Sequence, residues 1–356
     1  MDSHGCGRGC PQSCELNSLE DAGSFRPGRQ RLYSASHEEI RNGCTSDIYF
    51  VKTRDVLRSA GRLGAPVTAE VFARRGGVFA GLPEVLEILE HRHVEIHSLR
   101  EGDTFTPREV LMRISGPYEA FGMFETVILG MLASASSWAT AARECVAAAG
   151  GKPVLCFGAR HVHPAVAPVM ERTALAVGGC SGASCILGAK LAGVEPLGTV
   201  PHAAVLIMGD TVALAKEYDK VMPAGDPRIV LVDTFKDEAE ETVRVAGALG
   251  DKLAAVRLDT PGERGGVSAD LVREVRHRLD LAGYPGVRIV VSGGLCPERI
   301  RELSAAGADS FGVGSYIAHG EPIDMTMDLK EVDGKPIAKR GRLPGKIENP
   351  NLVRIK

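Results

Sequence analysis

Hydrophobic positions show no periodicity through the first 33 residues, where glycine, serine, proline and charge dominate. A segment with so little to bury is expected to stay poorly ordered. Regular patterning begins at Ser36. SASHEEIRNG places Ser36 and Glu39 at the spacing of a capping box, and Gly43 supplies the stop. SDIYFVKTRDVLRSAG continues as helix, with Ile48, Val51 and Val56 expected on one face. VTAEVFA, VEIHSL and VLMRISG alternate with a period of two, as half-buried strands of an antiparallel sheet do, and the helical stretch LPEVLEILEHR lies among them. FETVILGMLASASSWATAARECVAAAG is Ala-rich and apolar, which predicts a helix buried between layers and ended by Gly150.

From Lys152 the pattern changes. PVLCFGAR, VEPLGTV, RIVLVDTF, LAAVRLDT, VRIVVSGG and DSFGVGS are short apolar runs, each closed by polar or glycine residues. Amphipathic helices such as DEAEETVRVAGALG, SADLVREVRHRLDLAG and CPERIRELSAAGA separate most of them. Strand and helix in regular alternation are the mark of parallel βα repeats, and the absence of a GxGxxG turn favours a barrel over an open doubly wound sheet. IDMTMDLKEVDGKPIAKRGRL breaks the rhythm. It reads as a β-hairpin turning at Asp333-Gly334, which fits a return to the N-terminal sheet better than another barrel unit.

Composition narrows the class. A net charge of −3 argues against a nucleic-acid binder. No apolar run is expected to span a bilayer, and MDSHGCGRGCPQSC lacks the apolar core of a signal peptide, so no membrane partner and a cytoplasmic location are expected. Cys6, Cys10 and Cys14, with His4, form a cluster whose spacing suits no complete metal site; a reduced tail is the simpler reading.

Candidate chemistry collects where the βα strands end, the face on which such folds build their sites. Those ends carry Phe157, Gly158 and Arg160; His202; Asp233 and Thr234; Arg257, Asp259 and Thr260; Ser292, Gly293 and Gly294; Gly312, Gly314 and Ser315. Glycine also marks ordinary tight turns. Two glycine-rich ends on consecutive units, SGGL and GVGS, nevertheless read as a monophosphate cradle of main-chain N–H groups backed by helix N-termini. Arg257 and Asp259 share a strand face: the guanidinium suits an anion, and the carboxylate suits ribose hydroxyls or Mg2+. A plain Arg–Asp ion pair would use the same residues. His202 could equally be a core histidine, and His161 and His163 lack a third ligand for zinc.

Taken together, SDIYFVKT, EGDTFTP, GPYEAFGMFETVILG, FGARHVHPAVAPVM, GTVPHA, LVDTF, VRLDTP, VSGGL, FGVGSYI and GKPIAKRGRL resemble the nicotinate phosphoribosyltransferases of the compact archaeal and bacterial type, from Ser36 to Leu343. The resemblance implies the type II phosphoribosyltransferase fold: an irregular α/β barrel (131–321) beside an α+β open-faced sandwich (34–130 with 322–356), preceded by an irregular tail (1–33). It implies transfer of phosphoribosyl from phosphoribosyl diphosphate to nicotinate in NAD salvage, coupled to ATP, with Mg2+ on the leaving diphosphate and no resident metal site. It also implies a homodimer whose sites borrow Tyr49 and Arg74 or Arg75 from the partner. By matching position, Phe157 and Tyr49 enclose the pyridine ring, and Arg160 faces its carboxylate. His202 takes phosphate from ATP, and Asp233 lies near the ribosyl centre. Arg257, Asp259, Ser292, Gly293, Gly294, Gly312, Gly314 and Ser315 hold ribose and 5′-phosphate, and Thr199 and Thr260 join the substrate contacts.

Three positions depart from the family pattern. His161 stands where a second arginine is usual, Ser181 where GGCSG would carry an acid, and GERGG has only Arg264. Each change removes a formal charge. Quinolinate with decarboxylation, nicotinamide, or another aromatic base therefore remain alternative substrates, and a non-catalytic sugar-phosphate-binding protein a third reading.

Overall fold

The computed structural model describes residues 15–28 and 31–356. The cysteine cluster at 6, 10 and 14 lies outside the described residues. Within residues 15–24, assigned to the irregular tail on composition, a short helix forms: Ser18 caps Leu19–Ser24 by accepting the Asp21 N–H. Glu15 pairs with Arg54 at 3.1 Å and Arg92 at 2.8 Å. Long-range ion pairs, invisible to local periodicity, supply that order. The expected capping box forms at Ser36 and Glu39.

The chain divides into two compact units, one of residues 1–137 with 322–356 and the other of 138–321. The first is built on a six-stranded antiparallel sheet. Pro66–Ala73 lies between Val110–Pro117 and Met325–Val332, and Glu95–Ser98 pairs with Val353–Arg354 at the far edge. The C-terminal hairpin thus returns to the N-terminal sheet. Its turn places Asp333 (φ 52°) and Gly334 (φ 70°) in the left-handed region, as a two-residue hairpin turn requires. Glu70, fully buried, accepts two bonds from Arg113 and the Ile347 N–H, which pins the C-terminal segment. The helix Ile48–Ser59 differs from expectation. It buries Phe50 and Val51, while Ile48 and Val56 are exposed.

The second unit carries a six-stranded parallel half-barrel. Its strand order is Gly182–Ala183, Val154–Cys156, Ser310–Val313, Arg288–Ser292, Leu253–Leu258, Arg228–Leu231. Val256, Ile289, Val291, Phe311 and Val313 are fully buried against the surrounding helices. One expected strand fails. VEPLGTV is irregular, and Gly182–Ala183 takes its place beside Val154–Cys156. Leu197 explains the exchange: its N–H bonds to the Ala183 carbonyl, and its side chain lies where a Cβ on Gly182 would sit.

The long apolar helix also corrects an expectation. Tyr118–Ala148 is long and apolar enough to cross a bilayer by length and composition, and 56% of its most apolar window is buried inside the protein.

Candidate active site

The parallel register places the two glycine-rich ends side by side. Ser292 stands opposite Gly312 on neighbouring strands, so SGGL and GVGS leave the sheet at the same edge. Gly293 (φ 94°) and Gly294 (φ 60°) are successive left-handed residues, a conformation that side chains resist. A Cβ at Gly294 would meet nothing within 4 Å, so the turn faces open space. The helix Pro297–Ala306 follows directly.

The glycines of the second loop do something else. A Cβ on Gly312 would lie 2.4 Å from the Phe157 ring, and one on Gly314 2.7 Å from the Phe157 carbonyl and 2.8 Å from the His161 imidazole. Both glycines admit the FGARH loop rather than a ligand. The helix after GVGS, Ser315–Ala318, is a single turn, too short for the dipole expected of it. Of the expected cradle, Gly294 has the open geometry; a Cβ on Gly293 would lie 3.2 Å from Asp259 Oδ1, and Gly312 and Gly314 seat Phe157 and His161.

Arg257 is the centre of a side-chain network. Its Nε donates to Ser292 Oγ at 2.8 Å, one Nη to Thr199 Oγ1 at 2.9 Å, and the other to Asp259 Oδ2 at 3.3 Å. Ser292 Oγ in turn donates to Asp259 Oδ1 at 2.8 Å. The guanidinium lies 5.2 Å from the centre of the Phe157 ring. Burial pulls the Arg257 pKa below its ordinary value; Asp259 and Asp233 oppose the shift and Arg160 adds to it. Arg160 is thus electrostatically coupled to the network, though its own side chain is exposed.

A second relay joins it. Asp233 Oδ2 accepts the Asp259 N–H at 3.1 Å, and Oδ1 lies 2.9 Å from His202 Nε2. The Asp233 carboxylate is fully buried while His202 is 37% exposed, so a fixed acceptor orients a ring that solvent reaches.

Other expected residues fall elsewhere. Thr260 is 5% exposed, and its hydroxyl donates to Glu238 Oε1 at 2.9 Å. It braces the start of the helix Glu238–Leu249 and is not part of the Arg257 network. Tyr49 and Arg75 belong to the other unit, where Tyr49 is 55% exposed with its ring 4.3 Å from that of Phe50. His161 packs edge-on to His319 at 5.8 Å, and burial, Arg160 and His319 together hold its pKa low.

Sequence reasoning missed Glu171. This fully buried carboxylate accepts the Ala159 and Cys185 N–H groups and the Ser184 hydroxyl. The available signal was a lone acid within the apolar helix Ala167–Ala176.

Residues 47–136 match the family described as quinolinate phosphoribosyl transferase, N-terminal domain, and residues 138–328 its C-terminal domain. The chain belongs to the type II phosphoribosyltransferase family. A solved nicotinate-nucleotide pyrophosphorylase from Pyrococcus furiosus is 46% identical, with a TM-score of 0.85, covering 89% of this chain and 82% of that one. Human nicotinic acid phosphoribosyltransferase shares the fold at TM-score 0.70 and 21% identity, over 85% of this chain and 77% of its own. A nicotinate phosphoribosyltransferase of Mycobacterium tuberculosis is 29% identical over 88% of this chain and 78% of the relative.

Proposed function

We propose that this chain is a nicotinate phosphoribosyltransferase acting in NAD salvage. It transfers phosphoribosyl from phosphoribosyl diphosphate to nicotinate, giving nicotinate mononucleotide and diphosphate. The observation that carries this reading is Arg257, largely buried and held by Ser292, Thr199 and Asp259 beside the Gly293–Gly294 turn, which is open at Gly294. A fixed cation next to bare main-chain N–H groups suits a sugar phosphate. The curated relatives named nicotinate phosphoribosyltransferase support the choice of base, and the solved Pyrococcus relative is named for the same nucleotide.

The residues divide the work as follows. The Gly293–Gly294 turn and Ser315 take the 5′-phosphate, and Arg257 steadies the anionic sugar. Asp259 accepts from a ribose hydroxyl. Phe157, seated against Gly312, offers one face to the pyridine ring, and Arg160 meets its carboxylate. Transfer breaks the bond from C1′ to diphosphate and forms one from C1′ to the ring nitrogen. It needs positioning and charge stabilisation rather than a covalent intermediate on the sugar. Asp233, an acceptor, selects the Nε2–H tautomer of His202 and leaves the Nδ1 lone pair to attack the γ-phosphorus of ATP; the Pγ–O bond to ADP breaks, ADP leaves, and water later takes the phosphoryl off as phosphate.

Both oxygens of Asp233 and of Asp259 are already engaged by protein donors. Among the described residues no group of three or more His, Cys, Asp or Glu side chains is placed to hold a metal. Each Asp259 oxygen takes one side-chain donor and has a second lone pair, so Asp259 is the carboxylate that would meet Mg2+ carried in on the diphosphate. Bound there, the cation would neutralise the departing diphosphate.

The barrel (131–321) binds the ribosyl end, and the sandwich (34–130 with 322–356) presents Tyr49 and Arg75 to a partner's site in a cytoplasmic homodimer. Exposed Ile186, Leu187, Leu191, Leu206 and Ile207 on the barrel unit support such a partner.

The test is an assay with Mg2+, phosphoribosyl diphosphate and each pyridine base, with and without ATP, identifying the nucleotide formed. Nicotinate mononucleotide from nicotinate is expected. Release of CO2 with quinolinate, and no reaction with nicotinate, would overturn the choice of base. No turnover with any base would leave a sugar-phosphate-binding protein.

A further inference from the structure

The helix Ala167–Ala176 packs beneath two strand ends, and one residue of it reaches both loops above. Glu171 Oε1 accepts the Ala159 N–H at 2.9 Å and the Ser184 hydroxyl at 3.2 Å, and Oε2 accepts the Cys185 N–H at 2.6 Å. Ala159 lies in the loop after Val154–Cys156, the loop that carries Phe157, Arg160 and His161. Ser184 and Cys185 follow the neighbouring strand, Gly182–Ala183. These strands pair in register, Leu155 with Gly182 and Cys156 with Ala183, so the two loops leave the sheet together.

A carboxylate with no exposed surface is costly to bury and is retained only where donors compensate it. Apolar packing alone would have been met by leucine or methionine at this helix position. The surroundings are shaped around the acid. A Cβ on Gly188 would meet Glu171 Cβ and the Pro168 carbonyl, each at 3.1 Å, and one on Gly158 would meet the Met170 Cε at 2.6 Å. The 157–161 loop and the helix Ile186–Leu191 that follows Cys185 are therefore both drawn close to the helix that holds Glu171. The Phe157 side is also tied through main chain, by the Phe157 N–H to the Val313 carbonyl at 2.8 Å and the His161 N–H to the Gly158 carbonyl at 2.9 Å. Neither of those bonds reaches the 184–185 loop, whose main-chain tie, the Ser184 N–H to the Cys156 carbonyl at 3.1 Å, stops at the strand end, short of residues 157–161.

We propose that Glu171 is a positioning residue: its buried carboxylate staples the 157–161 loop to the 184–185 loop and so fixes Phe157 and Arg160 for the pyridine base. It touches no substrate. The assignment of Phe157 and Arg160 to the base rests on the function proposed above, whereas the staple itself does not.

The experiment compares wild type with Glu171→Gln, Glu171→Asp and Ser184→Ala in the full chain. Gln keeps the shape but sets an NH2 group against an N–H donor, so one bond is lost and one donor is opposed. Asp is one methylene short and keeps the charge. Hydrogen exchange of peptides covering 157–161 and 183–186 reads the staple directly. In Glu171→Gln, exchange in both loops is expected to rise about tenfold, with KM for nicotinate up about tenfold, the equivalent of one bond to a charged group. KM for phosphoribosyl diphosphate should stay within about twofold. Asp should recover part of each effect, and Ser184→Ala, which spares both main-chain bonds, should show the same pattern more weakly and keeps the test alive if Gln does not fold. Unchanged exchange would overturn the staple. Faster exchange with an unchanged KM for nicotinate would overturn its positioning role. Absence of nicotinate turnover in wild type would sink the functional reading instead, and the exchange comparison would still decide the staple.

Discussion

Asp233 touches both halves of the candidate site: its Oδ1 lies 2.9 Å from His202 Nε2, and its Oδ2 accepts the Asp259 N–H. One carboxylate therefore ties the ring proposed to receive phosphate to the backbone beneath the sugar. His202→Ala should retain transfer to nicotinate and lose its stimulation by ATP. Asp233→Asn should do the same more weakly, because an amide keeps one acceptor but no longer selects the Nε2–H tautomer. Rates measured with and without ATP check both. Undiminished stimulation in His202→Ala would remove the phosphoryl role.

Arg257 is held on three sides by Ser292, Thr199 and Asp259, so its guanidinium is set in place before any ligand arrives. Truncation to Ala removes the cation and leaves Asp259 without its partner. The expected loss of affinity for phosphoribosyl diphosphate is about 2–5 kcal/mol. Arg257→Lys should recover little, since an ammonium cannot serve three differently placed partners from one plane. An unchanged KM for phosphoribosyl diphosphate in Arg257→Ala would count against the role.

The features visible in the sequence were those whose partners are near in the chain. The Ser36–Glu39 box, the Asp333–Gly334 turn and the shared face of Arg257 and Asp259 depend on local spacing, and each forms. The resemblance carried the fold. What stayed hidden depends on distant neighbours. Gly312 looks like a phosphate-loop glycine but is small because the Phe157 ring lies on it. Thr260 sits among site residues in sequence, yet Glu238 takes its hydroxyl. VEPLGTV has a strand's composition, but Gly182–Ala183 already occupies the edge beside Val154–Cys156. Glu171 shows its purpose only when two loops are seen to converge on it.

The Gly312–Phe157 contact gives a sharp test. Adding a methyl group at Gly312 would place it 2.4 Å from the ring, and Ser292 Cβ, 3.2 Å from the same point, crowds it further. Gly312→Ala should destabilise the fold by about 1–3 kcal/mol, as overpacking does, and raise KM for the base. Phe157→Ala alone should weaken base binding with little effect on stability. The double variant should recover most of the stability and none of the base affinity. Additive stability losses, measured by denaturant unfolding, would mean the two residues do not share this contact.

Thr260 and Glu238 separate stability from activity. Both are buried, and the hydroxyl–carboxylate bond is 2.9 Å long. Thr260→Val keeps the shape and removes the donor, leaving Glu238 with Arg264 at 3.5 Å. A loss of about 1–3 kcal/mol of stability is expected, the cost of an orphaned buried acceptor. KM for each substrate should be unchanged. A rise in KM for phosphoribosyl diphosphate at constant stability would restore Thr260 to the ligand contacts.

Glu125 opens the long helix and lies in the field of Asp328 and Asp47. Burial first, then those two acids, push its pKa from 4.5 up to about 7. The folded chain therefore holds this proton over a pH range in which the unfolded chain has released it. Its favourable contribution is complete below about pH 4.5, the unfolded value, and is lost as pH rises through about 7, the folded value. Above that, wild type carries a half-buried charge among like charges. Glu125→Gln, which is neutral throughout, should match wild type in melting temperature at about pH 4 and below. It should then gain on it progressively and hold a constant advantage above about pH 8. Melting curves of both proteins across that range decide the matter. An offset that does not change with pH would show that folding leaves the Glu125 pKa unshifted, and that burial does not govern it.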